Sequence, residues 1–257
     1  MLAAEGRAIR SALRGVAAAL LHLVFPTPCH VCQHPLGPGR RSALCAACWG
    51  ALERVPQAGC RRCGWPFPAA GAARGAERPL CQRCRETDDH FEAARAVLLY
   101  RDGGIARAAI LLCKHGRRVG LLQHLAALLA AEAPADLMQR AWDAAVPVPL
   151  HWRRRWRRGF NQAEALARAV GRRHGLPVEQ RCLVRLRATP PQHGDAAARR
   201  RNVRDAFAVR RAARIAGKRL LLVDDVFTTG ATANACAAAL LAAGAAAVGV
   251  LTLARVE

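Results

Sequence analysis

Residues 220 to 232, Leu-Leu-Leu-Val-Asp-Asp-Val-Phe-Thr-Thr-Gly-Ala-Thr, constrain the fold more than any other stretch of this chain. Leu220 to Val223 form an unbroken apolar run of strand length, which suits a central parallel strand covered on both faces. Asp224 and Asp225 end that run, and open α/β sheets bind ligands at the carboxyl edge of their strands. Thr228 to Thr232 follow as a small, hydroxyl-rich turn that opens an Ala-rich helix. Hydroxyls and free backbone N–H groups at a helix N-terminus favour an anion. The segment therefore predicts a sugar-phosphate subsite, in which the carboxylates accept from ribose hydroxyls and the turn cradles a phosphate.

A second constraint lies ahead of it. Eight of the eleven cysteines form four Cys-x-x-Cys pairs: Cys29 with Cys32, Cys45 with Cys48, Cys60 with Cys63, and Cys81 with Cys84. Two residues between thiols let both sulfurs turn toward one ion, and two such knuckles complete a tetrahedral Zn–S₄ shell. The spacers of twelve and seventeen residues fit two zinc ribbons. Sequential pairing would put the first four cysteines on one ion and the last four on another; spacing alone also allows an interleaved arrangement. Four thiolates leave no open coordination position, so one or two Zn²⁺ ions would be structural. Residues 30 to 85 carry little periodic apolar sequence, and the metal must supply much of their folding free energy. Cys113, Cys182 and Cys236 stand alone and read as small buried apolar residues.

Composition bounds the partners. The chain has 257 residues, 53% hydrophobic and 23% charged, enough for one large domain or two smaller ones. Its formal charge of +22 rests almost wholly on arginine, since Lys114 and Lys218 are the only lysines. Such a field attracts phosphate polymers and small phosphorylated molecules. The apolar stretch Val16 to Phe25 is too short to span a bilayer, so no stable membrane insertion is expected. Arg7, Arg10 and Arg14 imitate a signal peptide, but Pro26-Thr27-Pro28-Cys29 offers no small-residue cleavage site. A cytoplasmic location is expected, with residues 1–25 forming an amphipathic helix (Glu5 to Val24), residues 26–90 a double zinc ribbon and residues 91–257 an α/β domain.

From about Phe91 strand and helix signals alternate. Strands are expected over Ala94 to Tyr100, Trp142 to Pro149, Val178 to Leu186, Arg219 to Val223 and Ala246 to Leu253. Helices are expected over Ile105 to Lys114, Leu121 to Glu132, Gln162 to Arg173 and Ala231 to Ala243. That alternation implies a parallel sheet with flanking helices.

Two basic runs complete the picture. Val146-Pro147-Val148-Pro149-Leu150-His151 ends a strand in prolines and reads as a stiff loop continuing through Arg153, Arg155 and Arg158 to Asn161. Asn161 and Glu164 form a capping-box variant that fixes the next helix start. Trp152, Trp156 and Phe160 among these arginines either pack on the domain or form a base-stacking, phosphate-binding strip for single-stranded DNA. The second run, Thr189 to Phe207 with Gln192 and Arg199 to Asn202, is long and aperiodic and suits a lid over a substrate.

Val-Asp-Asp-Val-Phe-Thr-Thr-Gly-Ala-Thr resembles the phosphoribosyl pyrophosphate (PRPP) loop of type I phosphoribosyltransferases. That resemblance implies that Asp224 and Asp225 bind the ribose 2′- and 3′-hydroxyls and that Thr228, Thr229, Gly230, Ala231 and Thr232 bind the 5′-phosphate. With the thiol pairs and both basic runs, the chain from about Phe25 onward resembles the ComF family, competence-associated proteins that join a double zinc ribbon to a phosphoribosyltransferase-like domain. The resemblance implies a pyrophosphate loop at Val148, Pro149, Leu150 and His151, with Arg158 beside it, and a flexible loop carrying Gln192 and Arg199. It also implies PRPP or a related ribose phosphate as ligand, Mg²⁺ with it, phosphoribosyl transfer, and an association with DNA uptake and competence proteins.

Overall fold

The computed structural model describes residues 27–37, 42–67, 79–116, 118–187 and 205–257. The chain divides into two compact units, Met1–Ala51 and Leu52–Glu257. The helix expected over Glu5 to Val24 lies outside the described residues, as do Gln192, Arg199 and most of the expected lid.

In the first unit a turn closed by a Pro28–Pro35 bridge leads to a short helix, α1 (Ala46–Gly50). Cys45 caps that helix through its thiol, which accepts from the Cys48 N–H. Trp49 Nε1 donates to Ser42 Oγ at 2.6 Å, and Leu36 and Leu44 are buried beside the cysteines.

The second unit holds α2 (Gln82–Glu86), β1 (Ala93–Tyr100), α3 (Ile105–His115), α4 (Val119–Ala131) and α5 (Ala135–Met138). It continues with β2 (Ala144–Pro147), α6 (Trp152–Arg158), α7 (Gln162–His174), β3 (Leu183–Arg185) and β4 (Phe207–Val209). It ends with β5 (Arg219–Phe227), α8 (Ala231–Ala242) and β6 (Ala247–Val256). Four strands make one parallel sheet in the order β1-β6-β5-β2, with Leu222 opposite Val146 on one side and Val250 on the other. Leu220 to Val223 are fully buried, as an apolar run without alternation requires. Leu220 and Leu222 share a core with Cys236, Ala237 and Leu240 of α8, so by strand alternation Leu221 and Val223 face the other side. Cys113, Cys182 and Cys236 are buried, in keeping with their reading as small apolar residues.

Four expectations need correction. The central strand does not stop at Val223: β6 continues beside it, pairing Asp224 with Thr252 and Phe227 with Arg255, so both aspartates lie within the strand. The strand expected over Val178 to Leu186 shrinks to Leu183–Arg185 and leaves the main sheet, pairing antiparallel with β4. Its start keeps one isolated bridge to β2, Val178 opposite Ala145, with the Glu179 N–H donating to the Ala145 carbonyl at 2.9 Å. Ala206 and Phe207, read as the end of a lid, are buried and open β4. Trp152–Arg158 is a helix instead of a loop, capped by His151 and closed by Gly159 at φ +80°. Among the described residues no helix is long and apolar enough to cross a membrane.

Candidate functional site

β5 brings Asp224 and Asp225 to one wall of a cavity of about 250 Å³. The turn after β5 contributes Thr228, Gly230 and Thr232, and the loop after β2 contributes Val148, Pro149 and Leu150. Arg154 and Arg158 enter from α6, Arg185 from β3, and Lys114 from the last turn of α3. The two aspartates thus meet four cations around one cavity, a balance suited to a polyanion that also carries hydroxyls.

The turn is shaped by its glycine. Gly230 has φ +76°, which side chains other than glycine rarely adopt. A Cβ there would sit 2.7 Å from Phe227 Cζ and 3.0 Å from Arg83 Nη2. Thr229 Oγ1 accepts from the Ala231 N–H at 3.4 Å, holding the turn at the start of α8. Thr229 and the buried Ala231 therefore shape the loop, while Thr228, Gly230 and Thr232 line the cavity.

The opposite loop is anchored from behind. Asn161 caps α7 by accepting from the Ala163 N–H at 3.1 Å, and its amide donates to the Val148 carbonyl at 3.0 Å. The capping box stays half-formed, because Glu164 pairs with Arg155 at 2.6 Å instead of returning to the cap. His151 is buried at the head of α6, where Nδ1 accepts from the Arg153 N–H. Burial and the charge of Arg153 lower its pKa and keep it a neutral acceptor. It caps the helix and does not line the cavity, unlike Val148 to Leu150.

The carboxylates differ in their surroundings. Burial, and next the charge on Asp225, push Asp224 from the usual 3.8 up to about 7. Asp225 is paired with Lys114, Nζ to Oδ2 at 2.9 Å. Burial alone would lower the lysine's pKa, but attraction and the hydrogen bond to Asp225 raise it overall. Both side chains are largely sheltered, at 20% and 17% exposure. Sequence reasoning missed Lys114, Arg154 and Arg185. For Lys114 one signal was present, a lysine in a chain otherwise basic through arginine.

Trp152 and Trp156 do not pack on the domain, and that reading is corrected. They are 64% and 83% exposed, four residues apart on α6, with the Arg153 guanidinium 5.2 Å from the Trp152 ring centre. Nothing in Trp-Arg-Arg-Arg-Trp-Arg-Arg is buried.

The eight paired cysteines fall into two sets, Cys29, Cys32, Cys45 and Cys48 in the first unit and Cys60, Cys63, Cys81 and Cys84 in the second. Within each, all four sulfurs lie within 4.8 Å of one another, in the sequential pairing. Sγ atoms of Cys32 and Cys45, and of Cys63 and Cys81, are 3.6 Å apart. Zn–S bonds of about 2.3 Å put tetrahedral sulfurs roughly 3.8 Å apart, so the donor sets fit zinc. Four thiols this close do not all ionise unaided: hydrogen bonds from Cys63 and Cys84 drive Cys60 well below the usual thiol range, and Cys84 is driven well above it. Zn²⁺ would take all four as thiolates.

The second set packs against the side of the cavity formed by the turn after β5. Arg255, fully buried on β6, donates to the Cys63 carbonyl at 2.7 Å. Its guanidinium carbon lies 5.1 Å from the Trp65 ring centre and 5.7 Å from that of Phe227. Arg83, between Cys81 and Cys84, pairs with Asp89 at 3.2 Å and lies 5.9 Å from the Phe227 ring centre. Phe91 meets the same ring edge-on at 6.1 Å.

A model of the double zinc ribbon domain matches residues 20–85. DNA utilization protein YhgH of Escherichia coli K12 is 34% identical over 237 residues, covering 91% of this chain and 99% of that protein. Competence protein F of Haemophilus influenzae is 39% identical over 94 residues, 36% of this chain and 41% of that one. Among solved structures, the glutamine phosphoribosylpyrophosphate amidotransferase of Bacillus subtilis superposes at a TM-score of 0.35 and 22% identity, over 51% of this chain and 25% of its own.

Proposed function

Because this chain belongs to the ComF family, that of DNA utilization protein YhgH and Competence protein F, we propose that its cavity binds PRPP or a closely related ribose phosphate and transfers the phosphoribosyl group. The observation that carries this reading is the convergence on one cavity of the Asp224–Asp225 pair, the Thr228–Thr232 turn at the start of α8 and a wall of basic side chains. Asp224 and Asp225 would accept from the ribose hydroxyls. Thr228, Gly230 and Thr232 would hold the 5′-phosphate against the helix N-terminus. Arg154 and Arg158 would match the oxygens of a departing pyrophosphate.

In the reaction, the ribose C1–O bond breaks, the electron pair leaves with pyrophosphate, and an acceptor N–H nitrogen bonds to C1 and gives up its proton to the released pyrophosphate or to solvent. Two carboxylates in one cavity fit Mg²⁺, a hard cation that takes oxygen ligands. When bound with PRPP it would supply charge neutralisation for the departing pyrophosphate. The chain's own part is to orient the sugar and stabilise the leaving charge. In a reducing cytoplasm the eight paired thiols would remain available to structural zinc.

Calorimetric titration with PRPP and Mg²⁺ tests the reading, with wild type set against Asp224→Asn/Asp225→Asn. Saturable binding that the double variant loses is expected; no binding to wild type would remove the enzyme reading.

A second reading rests on α6. Exposed Trp152 and Trp156 among arginines form a surface for stacked bases and their phosphates, fitting single-stranded DNA handled together with competence proteins. A gel-shift series at rising salt should show binding that weakens with salt and with Trp152→Ala/Trp156→Ala. No binding at low salt would sink this reading.

A further inference from the structure

We propose that Lys114 exchanges partners in the cavity, clamping Asp225 while no pyrophosphate is present and turning to the pyrophosphate when PRPP binds. The inference rests on the ribose-phosphate reading of the cavity and adds to it the residue that separates a pyrophosphorylated sugar from a plain sugar phosphate.

Three observations carry it. Lys114 Nζ lies 2.9 Å from Asp225 Oδ2, and both line the same cavity as Asp224 and Arg158. The lysine sits in the last turn of α3, where the helix dipole favours a cation that can be released from its side-chain partner without being stranded. It is also a lysine where this chain uses arginine almost everywhere else. An arginine fork would lock bidentately onto the Asp225 carboxylate, whereas an ammonium on a four-carbon stem is a point charge that can swing. The charge balance points the same way. Without Lys114, two neighbouring carboxylates would face the incoming polyanion and repel it. With Lys114 bound only to Asp225, ligand binding would leave that charge unused beside the most negative part of PRPP.

The experiment compares PRPP with ribose 5-phosphate, which shares the sugar and the 5′-phosphate and lacks the pyrophosphate. Lys114→Met is expected to lose PRPP affinity on the order of 30-fold or more, the scale for truncating a sheltered charge partner, and to change ribose 5-phosphate affinity only about threefold or less. Equal losses for both ligands would overturn the proposal, because Lys114 would then act only by shaping Asp225. Unchanged PRPP affinity would overturn it as well.

A second measurement needs no variant. The chain has two lysines, so ¹⁵N-labelled lysine gives two side-chain signals to assign. The Lys114 signal is expected to move on adding PRPP and to stay near its ligand-free position on adding ribose 5-phosphate. A signal that PRPP leaves in place would overturn the exchange. Wild type that binds neither ligand would remove the ribose-phosphate reading itself, and this inference with it; wild type that binds both without discrimination by Lys114→Met removes the inference alone.

Discussion

The two four-cysteine sets share a motif and differ in what surrounds them. In the set at Cys29, Cys32, Cys45 and Cys48, Cys32 is exposed, and the nearby buried apolar residues are few, chiefly Leu36 and Leu44. In the set at Cys60, Cys63, Cys81 and Cys84, three cysteines are almost fully buried, and their backbone and flanking residues reach Arg255, Trp65 and Phe227. Phe227 ends the strand that carries Asp224 and Asp225, and Arg83 approaches Gly230 in the turn that follows it. The first set organises its own short segment. The second is part of the wall behind the candidate site. A structural metal can thus be either a local staple or a brace for distant chemistry, and the difference lies in the packed arginines and aromatics around it.

The largest expected effect comes from removing the brace. Cys60→Ser/Cys81→Ser should lose one zinc and, by hydrogen exchange, lose amide protection through residues 227–233, while Cys29→Ser/Cys45→Ser should lose one zinc and leave that protection unchanged. Equal loss in both variants would erase the contrast. Next, Arg255→Ala leaves the Cys63 carbonyl unpaired and opens a gap between Trp65 and Phe227. It should cost about 2–4 kcal/mol in denaturant unfolding.

Comparable in size is a pH dependence centred on Asp224. Its carboxyl sits near 3.8 when unfolded and about 7 when folded. Below the unfolded value both states are protonated and the group costs nothing. As pH rises toward 7 the unfolded chain ionises first, so this group's contribution to stability falls and then levels off. Asp224→Asn should therefore gain stability over wild type progressively between these values, reaching roughly 4 kcal/mol on the plateau above pH 7. A gain that does not change with pH would contradict the burial of that carboxyl. The smallest effect is expected on the far side of the cavity: Trp156→Ala, at an exposed position, should change stability by less than about 0.5 kcal/mol. A larger loss would mean that the tryptophan packs on the protein after all.

The parts legible in the sequence were those with strong local signatures. Unbroken Leu220 to Val223, the two aspartates and the turn after them placed the central strand and the cavity together. The thiol spacing identified the eight paired cysteines but left sequential and interleaved arrangements open, and only the folded positions give the sequential sets. What local pattern could not convey was long-range pairing. The extension of β5 through Phe227 depends on β6 running alongside, and β3 exists only because β4 pairs with it. α6 escaped because arginines leave no apolar period, although His151 and Gly159 supply its two ends. Lys114 and Arg185 reach the cavity from elements remote in sequence, so no motif announces them.

The most direct test of the account is a calorimetric titration with PRPP and Mg²⁺, run side by side on wild type, Cys29→Ser/Cys45→Ser and Cys60→Ser/Cys81→Ser. The account predicts saturable binding to the first two and none to the third. Binding of equal strength to all three would contradict a phosphate loop braced by the second zinc set, and its absence from wild type would contradict the ribose-phosphate site itself.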